Sequence, residues 1–109
     1  MLITPLHRLE FSHAVAQQVF RKSLSQQEAR RIKTKFQLHS SSNVWKLVDL
    51  PPAAFPAGIA LAEAHVASLG NRSLDTLHVA SALELGAKEF WTFDDRQVKL
   101  AKAVGLRVS

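Results

Sequence analysis

Each short apolar run in this chain is separated from the next by at least one stretch of helical period, and this alternation does most to restrict its fold. Residues 2–4 read as the end of a strand. Thr4-Pro5 then supplies an N-cap and a proline at the first helical position, and Leu6, Leu9, His13, Ala16 and Phe20 recur at helical spacing, predicting a helix over 5–22. Ser25 and Glu28 form a capping box for a second helix, whose inward face is Ala29, Ile32, Phe36 and His39. Residues 44–50 are short, branched and aromatic and end at two prolines, which predicts a strand. A third helix follows, with Phe55, Ile59, Ala62, Val66 and Leu69 inward, Pro56 in its first turn and Gly70-Asn71 at its end. Ser73 is expected to cap a fourth, with Leu74, Leu77, Ser81 and Leu85 buried and Gly86 as its stop. A strand is predicted over 90–93. Asp94 opens a last short helix carrying Val98, Leu100, Ala101 and Val104, which ends at Gly105, and 106–108 make a final strand.

The predicted order is therefore β-α-α-β-α-α-β-α-β. Strands joined through helices cannot form tight hairpins. They should lie parallel, with right-handed crossovers and helices on both faces, in an α/β fold. At 109 residues the chain is long enough for one such domain and too short for two. Open sheets of this kind bind ligands at the carboxyl ends of their strands. Asp94 stands at one such end, and the helix opened by Thr4-Pro5 starts at another.

Composition narrows the chemistry. With 47% apolar residues the chain can bury a core. It has no cysteine, which excludes disulfides and thiolate metal sites and fits a reducing compartment. No apolar run is long enough to span a membrane, and the N-terminus has no basic segment leading into an apolar core, so the expectation is a soluble cytoplasmic protein. The net charge of +5 favours polyanionic partners, nucleic acid first among them. Arg21, Lys22, Arg30, Arg31, Lys33 and Lys35 crowd into one stretch, which also reads simply as a solvated helical face.

The acids are placed at junctions. Glu10 lies beside the inward face of the first helix, Asp75 in the first turn of the fourth, and Asp94 and Asp95 directly after a strand. Carboxylates are the donors that hard divalent cations select, and a bound cation relieves the repulsion of clustered acids. Each acid also has a local reading: Asp75 complements a helix dipole, Asp94 and Gln97 form a capping box, and Glu10 pairs with a surface lysine. His78, one turn beyond Asp75, reads as a buried helix residue. Ser81 has no base beside it, and the scattered glycines form no phosphate-cradling loop.

The stretch "RSLDTLHVASALELGAKEFWTFDDRQVKLAKAVGLRV" resembles the C-terminal half of PIN domains, most like the VapC-type toxin ribonucleases of VapBC toxin–antitoxin systems. The features that match are the R-x-L-D-x-L-H-x-A helix start, the T-F-D-x-R-Q strand end and the closing A-x-x-x-G-L-x-V. More loosely, "ITPLHRLEF" resembles that family's second strand and the helix with its glutamate. The resemblance implies a three-layer α/β/α fold with a parallel sheet, and cleavage of RNA by Mg²⁺ or Mn²⁺ held by acids. Glu10, Asp75 and Asp94 match the catalytic and metal-binding acids. Asp95 and Thr92 are secondary candidates, and Arg72 and Arg96 are candidates for binding the RNA backbone.

The family's first strand and its aspartate have no counterpart here, since no aspartate precedes Asp49. The expectation is an N-terminally truncated domain, with weakened metal binding and a slot in the sheet that a homodimer or higher oligomer would fill. An antitoxin protein is a further expected partner. The rival reading is a catalytically inactive PIN-like module that binds RNA or an antitoxin-like partner, and the third is an oligomeric remnant without activity.

Overall fold

A computed structural model describes residues 2–41, 46–90, 92 and 94–108. They fall into two compact units, residues 1–50 and 51–109. Helix dominates, and the strands are short and parallel. Among the described residues no helix is long and apolar enough to cross a membrane.

The first unit holds β1 (Leu2–Ile3), α1 (Pro5–Phe20), α2 (Gln26–Ser41) and β2 (Lys46–Leu47). β1 and β2 run parallel, with Leu2 opposite Lys46 and Ile3 opposite Leu47, as predicted for strands joined through helices. The rest of the predicted 44–50 strand includes residues 44 and 45, which lie outside the described residues. Thr4 is the N-cap of α1, and its buried backbone N–H donates to His7 Nδ1 at 2.9 Å. At the start of α2 the predicted capping box forms: Glu28 N–H donates to Ser25 Oγ and Ser25 N–H to Glu28 Oε1, each at 3.0 Å. The two helices meet through the stacked rings of Phe11 and Phe36, with centroids 4.1 Å apart. The inward face expected for α1 is only partly right. Leu6 is buried, but Leu9 and Phe20 are 62% and 86% exposed. Apolar residues lie on more than one face of α1: Phe11 meets Phe36 of α2, and half-buried Val15 and Val19 line a groove beside it. On α2, Ala29, Ile32 and Phe36 are half-buried as expected, while the side chain of His39 lies outside the described residues.

The second unit begins with a turn at the two prolines, where Ala54 N–H donates to the Pro51 carbonyl. Its elements are α3 (Ala54–Leu61), a π-helical turn (Ala62–Val66), α4 (Ala67–Leu69), α5 (Ser73–Glu84), β3 (Glu89–Phe90), α6 (Asp95–Ala103) and β4 (Arg107–Val108). β3 and β4 are parallel, with Glu89 opposite Arg107 and Phe90 opposite Val108. The core is Val79, Phe90, Leu100, Ala101 and Leu106. Of the strand predicted over 90–93, Trp91 and Phe93 lie outside the described residues.

Two inward faces differ from those the periodicity predicts. Phe55 and Ile59 are 55% and 61% exposed, while Ala62, Val66 and Leu69 are half-buried. The π-turn inserts an extra residue per turn, so a stripe drawn at 3.6 residues cannot remain on one face across it. On α5, Leu74 is exposed and Leu77 and Leu85 are half-buried; the buried face is Asp75, Thr76, His78, Val79, Ala80 and Ser81. The contact with α3 selects small residues: a Cβ built on buried Gly58 would lie 3.8 Å from Ala80 and 3.9 Å from Thr76. The helix stops are as predicted. Gly70 and Gly86 both take φ +71°, the left-handed conformation that ends a helix without steric cost for glycine.

Candidate active site

The chemistry-bearing residues of the second unit gather where α5 and α6 begin. Arg72, not the predicted Ser73, is the N-cap of α5. Its extended backbone aims its N–H at Asp75, whose Oδ2 accepts it at 3.0 Å. The acid three residues into the helix thus satisfies one of the donors that a helix start leaves open. Asp94 is the N-cap of α6, as predicted, and its Oδ1 accepts the Arg96 backbone N–H at 2.9 Å.

Gln97 joins the two helix starts. Its Nε2 donates to Asp75 Oδ1 at 3.1 Å, and its Oε1 accepts the Thr92 hydroxyl at 2.9 Å. The Thr92 oxygen in turn accepts the Asp94 backbone N–H at 3.0 Å. Every direction in this chain of bonds is forced. An ionised carboxylate only accepts, so the Gln97 nitrogen must face Asp75 and its oxygen must face Thr92. The single Thr92 proton then points at Gln97. Asp75 is 1% exposed and Gln97 7%, so both oxygens of a buried acid are satisfied by these contacts. The predicted capping box between Asp94 and Gln97 is not how Gln97 is used; its amide bonds Thr92 and Asp75 instead.

Arg72 also reaches both acids with its side chain. Its Nε lies 3.6 Å from Asp75 Oδ2, and its terminal nitrogen 3.7 Å from Asp94 Oδ2. Asn71, buried beside it in sequence, ties the link to α6 by donating to the Arg96 carbonyl at 2.7 Å. Neither Gln97 nor Asn71 is a candidate site residue on sequence grounds. A signal for Gln97 existed, because it shares a helix face with Leu100 and Ala101; Asn71 looks only like a helix stop.

The other candidates are placed as follows. Glu10 is on α1 in the first unit and is half-buried. Asp95 is the first residue of α6 and is exposed, as is Arg96. Ser81 donates to the Leu77 carbonyl at 2.7 Å, a structural bond within its own helix. Among the described residues, no group of three or more His, Asp or Glu side chains that can hold a metal ion is assembled. What α5 and α6 provide is a pair of carboxylates facing one cationic group. Their oxygens are the hard donors that Mg²⁺ takes, and Mg²⁺ is often held by one or two carboxylates with water and substrate oxygens completing its shell, so these residues fit such an ion.

Residues 1–103 match the family model for the PIN domain, and the chain belongs to that family. PIN domains are generally nucleases that need a divalent metal ion. A comparison with curated proteins finds no match.

Proposed function

We propose that this chain is a VapC-type, metal-dependent endoribonuclease in which Asp75 and Asp94 hold Mg²⁺ or Mn²⁺ for hydrolysis of phosphodiester bonds in RNA; Glu10, on the first unit, is a third acid by resemblance to the family alone. The observation that carries the reading is the Arg72 guanidinium, which stands within 3.7 Å of both acids of the second unit: two carboxylates are turned toward one cation. When bound, the metal supplies a water of lowered pKa and stabilises charge on the phosphoryl oxygens. The residues do the remainder. The amide of Gln97 and the Arg72 backbone N–H keep Asp75 oriented, and the hydroxyl of Thr92 fixes the start of α6 and hence Asp94. Arg96, exposed beside Asp94, and Arg72 are the side chains for the RNA backbone, while Asp95 is a secondary acid.

Surface features support the proposed partners. Arg21, Lys22, Arg30, Arg31, Lys33 and Lys35 are all exposed and suit an RNA backbone. A groove of about 290 Å³ between α1 and α2, lined by Phe11, Val15, Val19, Ala29, Arg30 and Lys33, suits an amphipathic acidic segment such as an antitoxin would offer. The exposed Phe55 and Ile59 of α3 support a homodimer or higher oligomer.

The test is cleavage of a mixed RNA substrate with Mg²⁺ or Mn²⁺, with Asp75→Asn, Asp94→Asn and Glu10→Gln alongside. Metal-dependent cleavage that disappears in the variants is the expected result. A second reading, an inactive PIN-like module, is favoured by the same guanidinium, because Arg72 already neutralises part of the acidic charge. RNA binding that needs no metal, weakens with salt and is never followed by cleavage would establish it instead.

A further inference from the structure

Arg72 contributes to the site twice, through groups that are independent of each other. Its backbone N–H orients Asp75, and any residue but proline at this position keeps that bond. Its guanidinium stands against Asp75 and Asp94. We infer that this guanidinium is an exchangeable internal cation: it offsets part of the charge of the two acids, competes with a divalent ion for them, and moves out to solvent when the ion binds. The inference rests on the metal-dependent reading above.

Three observations carry it. The contacts, 3.6 and 3.7 Å, exceed the roughly 2.7–3.2 Å of a direct N–H···O bond, so the guanidinium is attracted to the acids without being fastened to them. Its side chain is 66% exposed, against 1% for Asp75 and 37% for Asp94, so the cation can leave while the buried acid cannot. Finally, other bonds hold the acids in place. Asp75 keeps Gln97 Nε2 and the Arg72 backbone N–H, and Asp94 keeps the Arg96 N–H. Withdrawal of the guanidinium therefore leaves two oriented carboxylates and raises their uncompensated negative charge from one to two. A divalent ion brings both charges and prefers these oxygen donors. Coupling of this kind is reciprocal: whatever the guanidinium gains from the acids, the metal must displace.

The experiment is calorimetric titration of Mn²⁺ into the full chain and its Arg72→Gln and Arg96→Gln variants, with folding checked by circular dichroism. Both variants remove one positive charge near Asp94, but among the described residues only the Arg72 guanidinium joins the acids in an ion pair. Arg72→Gln is expected to bind Mn²⁺ about fivefold more tightly than the parent, and Arg96→Gln to stay within about twofold of it. Equal tightening in both variants, or none in Arg72→Gln, overturns the exchange.

A second measurement needs no variant: on adding Mg²⁺ to the parent, the Arg72 Nε–H resonance should move toward the position of a solvent-exposed arginine. A resonance that stays in place at saturating Mg²⁺ also overturns the exchange. The two levels of failure are distinct. Mn²⁺ binding that disappears in Asp75→Asn and Asp94→Asn but is not tightened in Arg72→Gln defeats only this inference. Binding unaffected by those two substitutions, or absent throughout, defeats the metal reading and this inference with it.

Discussion

At the scale of the residue, the site depends on how a buried acid is satisfied. Asp75 takes one bond from its own helix start and one from Gln97, 22 residues away. Replacing Gln97 by leucine would strand one buried carboxylate oxygen and break the link to Thr92. The expected cost is about 1–3 kcal/mol in urea unfolding, with weaker Mn²⁺ binding measured on the same folded protein. Lys22 illustrates local strain. It sits at φ +62° after α1, in the region where a Cβ crowds the backbone. Its N–H donates to the Val19 carbonyl, and glycine would keep that bond. Lys22→Gly should raise stability by about 0.5–1 kcal/mol in the same assay, because relief of the steric strain outweighs the extra freedom glycine gives the unfolded chain.

At the scale of the element, the α3–α5 contact and the start of α2 make opposite kinds of statement. Between α3 and α5 the fit is steric. A methyl group on Gly58 would make ordinary contacts with Ala80 and Thr76, so Gly58→Ala should be tolerated and can gain up to about 1 kcal/mol of helix propensity. Gly58→Leu should cost about 1–3 kcal/mol by overpacking; chemical denaturation of the pair distinguishes the two.

At the start of α2 the fit is electrostatic. The Glu28 carboxyl lies below its ordinary value, chiefly because the Ser25 backbone N–H and then the Ser25 side chain bond it, with Arg31 adding a smaller effect and desolvation opposing. A depressed folded pKa means stabilisation that is complete above the unfolded glutamate value and is lost as pH falls through the lower folded one. The protection factors of the first-turn amides of α2, corrected for the intrinsic pH dependence of exchange, should therefore fall on acidification across that window, and in Glu28→Gln this fall should disappear.

At the scale of the whole molecule, charge is the property to test. With a net charge of +5 and six exposed cations over α2 and its link to α1, the logarithm of RNA affinity should fall linearly with the logarithm of salt concentration. Neutralising Arg31 or Lys35 should flatten that slope by roughly 0.7 for each phosphate that the side chain had neutralised, without changing sequence preference. A fluorescence-anisotropy salt series checks this, and a slope that does not change would place the RNA elsewhere on the molecule. The family match spans both compact units, so the expectation extends over the length of the chain that the PIN model covers, residues 1–103.

What the sequence determined by itself is whatever is decided within about one helical turn. Thr4-Pro5, Ser25 with Glu28, Asp94, and the glycines at 70 and 86 mark helix ends because capping bonds and left-handed turns act over three or four residues. The parallel pairing of the strands was legible for a related reason, since a helix between two strands rules out a tight hairpin.

Tertiary structure decided which face of each helix turned inward. Apolar residues lie around much of α1 and α3, and a π-turn shifts the phase after Leu61, so periodicity announced the helices and misplaced Leu9, Phe55, Ile59 and Leu74. It also decided the site. Asp75 and Asp94 each had a sufficient local explanation as a helix-start residue. That one guanidinium attends both, and that Gln97 holds the first of them, depends on the path of the chain between α5 and α6, which no local pattern encodes.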